Sequence, residues 1–462
     1  MHSALARYPD LRQLAEAVSA GKLSAVEIAE GSADRHRAGG DLLNAYFFWA
    51  GSRALDQARA ADADLGATPG PLHGLPVSVK DCIGVSGMPT LAGSARGLPA
   101  KWESEGPLVA RLRGQRATIT GKTCQTEFAL GATGRMPYGP QPRNPWDADA
   151  VRSAGGSSTG AALSLIEGSA VAALGTDTLG SVRIPASVAG VVGFRPSVGF
   201  WSTEGVVPLS PTFDTVGVLA WSVADLVFVV EALSGSLSCA AFSPADLSLA
   251  LVEPCWSDCD ASVATTASAA VDALASAGAS VTRLDLPEAA ESFRFVREGS
   301  VAVAEFNALL ESELPEWRPL LQPATAALAA RGAQASATQY LLDRRRHIEL
   351  AAKASQRFDD RTVLALPTLP VTPPRLADID GQAGQRQIHL EMIRHVCIAS
   401  CLRMCAVTLP VGVDREGIPV GLELMAPAGR ETHLLAAALT AEKVLGKALE
   451  RLGPAPLAAA LA

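Results

Sequence analysis

Two serines and a lysine carry the chemistry that is legible in this chain. Ser157 sits in Gly155-Gly156-Ser157-Ser158-Thr159-Gly160, and Ser181 in Gly175-Thr176-Asp177-Thr178-Leu179-Gly180-Ser181-Val182-Arg183-Ile184-Pro185. Lys80 ends the apolar run Gly74-Leu75-Pro76-Val77-Ser78-Val79-Lys80-Asp81. A serine hydroxyl becomes a nucleophile only when a base takes its proton. Histidine is the usual base, but of the seven histidines only His73 lies beside one of these motifs, where it reads first as a loop residue. Sequence distance does not exclude the others, because triads assemble in space. Lysine serves instead if it is neutral. Half-deprotonation near pH 7.5 requires its pKa to fall by roughly 3 from about 10.4, or about 4 kcal/mol, and burial supplies effects of that size. A lysine closing an interior strand must reach solvent, pair with a carboxylate or lose its proton. Asp81 keeps the pairing open; the two serine motifs favour the neutral base.

The Gly155–Gly160 stretch has two mechanical readings. A glycine-rich turn that opens a helix can cradle phosphate with its N–H groups, or it can let backbone approach another segment closely. Neither the Walker nor the dinucleotide spacing is met. Gly121-Lys122-Thr123 is a near miss, since the first glycine of a P-loop falls on Arg116.

The elements that must position these residues belong to a large soluble protein. With 462 residues, 48% hydrophobic and 19% charged, the chain can bury one large or two ordinary cores. A net charge of −8 argues against nucleic acid, and the Arg344-Arg345-Arg346 cluster reads as a solvated helix face. The N-terminus from Met1 to Asp10 shows no targeting pattern, and the most apolar window, Val216–Leu233, is broken by Asp225 and Glu231. A cytoplasmic location and no membrane association are expected. Eight cysteines fit reduced thiols rather than a disulfide scaffold. Cys397, Cys401 and Cys405 recur every four residues, as on one helix face, and read as small buried residues rather than a metal site. Cys255 and Cys259 lack the companions of a zinc site.

Four zones follow. Residues 1–65 read as helical, with a capping box at Ser24-Ala25-Val26-Glu27 and a helix end at Gly39-Gly40. Residues 66–235 have α/β texture, with strands expected at Val77–Lys80, Ala117–Thr120 and Ala170–Leu174. Residues 236–360 are alanine-rich and read as a mostly helical insertion, with a helix at Val263–Ala277 and a strand at Val281–Leu286. Residues 361–462 return to α/β texture, with strands at Val363–Pro367, Ala406–Pro410 and Gly417–Leu424 and a helix from Glu431.

These motifs together resemble the amidase signature family. Its members carry a Gly-Gly-Ser-Ser-Gly-Gly-like segment and, 24 residues on from the first serine, the serine of a Gly-Thr-Asp-x-Gly-Gly-Ser-x-Arg-x-Pro-like segment, the separation of Ser157 and Ser181 here. The likeness extends through Gly121-Lys122-Thr123, Arg143-Asn144-Pro145-Trp146-Asp147, Gly193-Phe194-Arg195-Pro196-Ser197, Phe213-Asp214-Thr215-Val216-Gly217 and Gly417-Ile418-Pro419-Val420-Gly421-Leu422, and is weakest over 236–360. It implies an α/β amidase signature fold, a central mixed β-sheet flanked by helices. It also implies a hydrolase of linear carboxamides that acts through an acyl-enzyme, without cofactor or metal.

In that family's scheme Ser181 is the nucleophile. Ser157 is the bridging serine, with a cis peptide bond, and Lys80 is the general base. The N–H groups of Thr178, Leu179, Gly180 and Ser181 form the oxyanion hole, and Asp177 and Arg183 brace the loop. Two residues depart from the pattern. Leu179 stands where glycine or alanine is usual, and is strained if that position needs a positive φ; otherwise it narrows the mouth of the site. Thr159 stands where glycine is common. The segment Phe194–Gly217 is similar to indole-3-acetamide hydrolases and hints at an aryl or apolar acyl group. Carbamates and esters remain open as substrates, and pocket residues are expected from 124–140, 200–212 and 236–360. The expected partner is a small-molecule amide or carbamate, with a homodimer considered. The alternatives are an amidotransferase A subunit that supplies ammonia in a tRNA-charging complex, and an inactive scaffold.

Overall fold

The computed structural model describes residues 10–64, 70–235 and 237–459. The sequence reading of the first nine residues, and the zone boundaries at 65/66 and 236, lie outside the described residues.

Eleven strands form one sheet among the described residues. They are β1 (Tyr46–Trp49), β2 (Pro76–Lys80), β3 (Thr118–Thr123), β4 (Ala172–Asp177), β5 (Val192–Arg195), β6 (Thr215–Ala220), β7 (Ser248–Leu251), β8 (Ser280–Arg283), β9 (Thr362–Pro367), β10 (Cys405–Val413) and β11 (Pro419–Ala426). The order across the sheet is β1-β3-β2-β4-β6-β5-β10-β11-β9-β7-β8. It is mixed: β3, β2 and β4 are parallel, β4 through β9 pair antiparallel, and β9, β7 and β8 are parallel again. Every zone of the sequence contributes strands to it.

Strands β2 to β6 are buried along their whole length. That is the state of a sheet covered on both faces, and it explains why they read as apolar runs rather than alternating ones. The helix Thr159–Glu167 is likewise buried on every side, so it forms part of the core.

Several expectations need adjusting. Residues 46–49 are a strand at the sheet edge rather than helix. The capping box at Ser24 is present, but its helix runs through Gly39-Gly40 to Leu43. Leu43 is buried and anchors the last turn, and Asn44 supplies the left-handed cap (φ 55°), its N–H bonded to Gly40 O at 2.8 Å. The apolar window 216–233 divides into β6 and the helix Val223–Ser234. Among the described residues no helix is long and apolar enough to cross a membrane. Cys397 and Cys401 share a one-turn helix, but Cys405 begins β10, so the three do not form one helix face. All three are buried and free.

Candidate active site

Strands β2 and β4 are parallel neighbours, with Val79 opposite Leu174, so their carboxyl ends meet at one edge of the sheet. In α/β sheets this is where the chain leaves room for chemistry. Lys80 is the last residue of β2 and Asp177 the last of β4. After β4 the chain turns through Thr178–Val182 into the helix Arg183–Ala189, which places Ser181 in the turn. Ser157 lies just before the helix Thr159–Glu167, and its peptide bond with Gly156 is cis. Ser158 ties the two serine segments together. Its N–H donates to Ser181 O at 3.0 Å, and its Oγ donates to Thr176 O at 3.1 Å.

Lys80 is wholly buried, with Nζ 2.7 Å from Ser157 Oγ, 2.7 Å from Thr176 Oγ1 and 3.3 Å from Thr176 O. Burial pushes it below its ordinary value of 10.5, against the pull of Asp177 and Asp214. A neutral amine has two hydrogens and one lone pair. Thr176 offers two acceptors, which leaves the lone pair free to take the hydrogen of Ser157. Asp81 does not pair with Lys80: its carboxylate accepts from Leu91 N at 3.2 Å and Gly93 N at 3.0 Å. Lys122, from the P-loop near miss, is a second buried lysine and donates to Thr90 Oγ1 at 2.7 Å. His73 is occupied elsewhere, with Nε2 3.1 Å from Ala61 O.

The close-approach reading of the glycine-rich stretch fits the packing. A Cβ on Gly160 would collide with Ala45 O and lie 2.5 Å from Cys124 N. Thr159, the departure beside it, caps its own turn by donating to Gly155 O at 2.6 Å.

The turn that carries Ser181 is held by a buried charge cluster. Asp177 Oδ1 accepts from Gly180 N at 2.8 Å, Arg183 Nη2 at 2.9 Å and Arg195 Nη1 at 3.1 Å. Asp177 Oδ2 accepts from Val182 N at 3.1 Å and Arg183 Nε at 3.0 Å. Burial alone would raise the Asp177 carboxyl, but the two guanidiniums outweigh it and hold it well below the usual range. Arg183 also pairs with Glu423 on β11 and donates to Val396 O at 2.7 Å. Thr178 Oγ1 donates to Asp214 Oδ1 at 2.6 Å, and burial raises Asp214 to about 6.

These bonds separate the four backbone donors of the turn. The Gly180 N–H is spent on Asp177. Those of Thr178, Leu179 and Ser181 make no hydrogen bond among the described residues. Gly180 is the position with positive φ (110°), where a Cβ would strike Val396. Leu179 lies outside the positive-φ region, so leucine is unstrained there, and its side chain lines the cavity.

Ser181, Gly156, Thr178 and Leu179 open onto a cavity of about 110 Å³. A larger open groove of about 1340 Å³ passes Lys101, Tyr340 and Arg344 but reaches none of Lys80, Ser157 and Ser181. The small cavity draws walls from 129–132, Leu209, 295–303 and Leu328, within the three segments named from sequence. It has a further wall that sequence reading missed, the helix Gly381–Ile393, which presents Arg386, His389, Leu390 and Ile393. Their spacing of three, four and seven residues was a usable signal. Arg195, Asp214 and Glu423 were also missed as site supports. The signal for them was a charged residue in or beside an apolar strand.

Among the described residues no cluster of three or more His, Cys, Asp or Glu side chains could hold a metal ion.

A family model described as Amidase matches residues 27–435. The chain is 42% identical to 2-amino-5-chloromuconic acid deaminase of Comamonas testosteroni, over 94% of this chain and 95% of that protein. It is 30% identical to indoleacetamide hydrolase of Pseudomonas savastanoi, over 94% and 96%. A crystal structure described as an amidase superposes with a TM-score of 0.86 at 30% identity, covering 95% of this chain and all of that one. With motif, sheet and near full-length similarity in agreement, the chain belongs to the amidase family of hydrolases that act on amide C–N bonds.

Proposed function

We propose that the protein hydrolyses a compact carboxamide through an acyl-enzyme on Ser181. Ser181 Oγ forms the bond to the carbonyl carbon, and its proton passes through Ser157 to neutral Lys80. The oxyanion is met by the free N–H groups of Thr178, Leu179 and Ser181, each worth about 3–4 kcal/mol in such sites. As the C–N bond breaks, Lys80 returns the proton through Ser157 to the departing nitrogen. Water then attacks the ester by the same relay, giving the acid and restoring Ser181. Asp177 and Arg183 hold the turn and do not touch substrate.

The observation that carries this reading is the 2.7 Å contact between buried Lys80 and Ser157 Oγ, with no carboxylate on the lysine. The relatives act by name on 2-amino-5-chloromuconic acid and on indoleacetamide. We carry over from indoleacetamide a small carboxamide, for which the cavity beside Ser181 offers about 110 Å³. Carbamates and esters can follow the same steps.

A hydrolysis screen of the purified chain against amides, anilides, carbamates and esters tests the reaction. A fluorophosphonate probe with peptide mapping tests the nucleophile. Ser181 should carry the label, and Ser181→Ala should lose essentially all turnover while staying folded. Label on Ser157 or Ser158 with Ser181 bare refutes the assignment. Activity seen only with glutamine and a co-purifying partner would favour the amidotransferase alternative.

A further inference from the structure

The cavity that Ser181 lines is apolar over most of its wall, and its lining includes two arginines and no Asp or Glu. Arg331, on the helix Pro323–Ala333, and Arg386, on the helix Gly381–Ile393, are the charged side chains lining it. Neither forms an ion pair among the described residues. One nitrogen of Arg331 is fixed, with Nη2 donating to Gly299 O at 2.7 Å and Arg297 O at 3.2 Å. The rest of its fork has no partner among the described residues; Arg331 is half-buried, and the exposed Arg386 side chain makes no hydrogen bond there.

Two like charges at the open side of the cavity oppose each other, and an anion between them would join them. That opposition is visible in Arg331, which burial and the charge of Arg386 together push below its ordinary value. His389, one turn from Arg386, adds a neutral donor. Its Nδ1 accepts from Ala132 N at 3.2 Å, so the proton sits on Nε2. Desolvation lowers His389 to about 4, so it brings no third charge near neutral pH.

Resting on the hydrolase reading above, we propose that the substrate carries a carboxylate at the end remote from its scissile amide, bound between Arg331 and Arg386. A guanidinium fork matches a carboxylate in shape as well as charge. The Ile184, Val301 and Ile393 wall takes the apolar middle, and Ser181 takes the amide end. The substrate class is then the monoamide of a short dicarboxylic acid. A cavity of about 110 Å³ keeps the chain between the two ends short.

Adipamate and hexanamide differ only in a carboxylate replacing a methyl group, so their kcat/KM ratio isolates the subsite. The ratio should favour adipamate by about 10- to 100-fold, as expected for charge-assisted hydrogen bonds. Arg386→Gln should cut the ratio at least tenfold, and Arg386→Lys should restore part of it. Arg386 has no partner in the fold to lose, whereas Arg331→Gln also frees two carbonyls and serves as the second variant. Calorimetric binding of adipate gives a readout without turnover, and should weaken in step with the ratio. If neither amide is cleaved but adipate binding depends on Arg386, the hydrolase reading fails and the subsite stands. A ratio near one, or a ratio and adipate affinity within twofold of the parent in both glutamine variants, overturns the subsite.

Discussion

Asp177→Asn is the substitution that most directly probes how the fold holds the site. The carboxylate receives five hydrogen bonds, three on Oδ1 and two on Oδ2, in full burial. An asparagine replaces one acceptor oxygen with an amino group. If its oxygen keeps the Oδ1 partners, the amino group faces the Val182 N–H and Arg183 Nε–H as donor against donor. Arg183 still has Glu423, but Arg195 keeps only carbonyl and hydroxyl partners. Breaking one side of a buried pair costs about 3–5 kcal/mol. With three of five bonds retained, about 3 kcal/mol is expected. At a urea m-value of about 3 kcal/mol per M or more, the unfolding midpoint falls by up to about 1 M.

The catalytic loss follows from Gly180 and Val182, which flank Ser181 and are both anchored by Asp177. A displacement of about 1 Å costs roughly 100-fold. That loss should fall on kcat, because Asp177 is fully buried and does not line the cavity, and kcat should be measured per fluorophosphonate-titrated site to exclude unfolded protein. The folded-state pKa of Asp177 is depressed, so its stabilisation is complete above the unfolded value of about 3.9 and is lost only as pH falls toward the folded value. The stability gap between parent and variant should therefore stay constant from pH 5 to 8. A variant with kcat within threefold of the parent and an unchanged urea midpoint would falsify the bracing argument.

The rate should rise with pH as Lys80 loses its proton, with an inflection below 10.5. Lys80→Ala should lose two or more orders of magnitude, and Lys80→Arg should not rescue it because a guanidinium keeps its protons; activity within tenfold in either variant points to another base. Leu179→Gly should raise kcat/KM for a bulky amide relative to a small one, since Leu179 lines the cavity without strain. A uniform loss on both substrates would mean instead that leucine packs the turn and holds its N–H groups.

How far the site could be read ahead depended on whether a residue's job was local. Lys80, Ser157 and Ser181 lie in motifs whose spacing is printed in the chain, and the end of β2 was legible as an apolar run that stops at a charged residue, whereas the strand expected at Ala170–Leu174 stops short of the end of β4 at Asp177. The competition between Gly180 and its neighbours was not legible. It turns on Asp177 reaching three residues along the chain to take one N–H of four, and only the geometry of the turn decides which. The same limit applies to Asp81, a neighbour of Lys80 in sequence whose carboxylate turns to the loop at 91–93. Partners remote in sequence were harder still. Arg183 meets Glu423 across 240 residues because the helix Arg183–Ala189 packs against β11, a contact that strand signals alone do not give. Arg331 and Arg386 lie 55 residues apart on two different helices, and on each helix an arginine looks like an ordinary solvated charge. Only their convergence on an apolar cavity without a carboxylate makes them informative. In this chain the proposed reacting groups are written as motifs, while the proposed carboxylate subsite depends on helix placement.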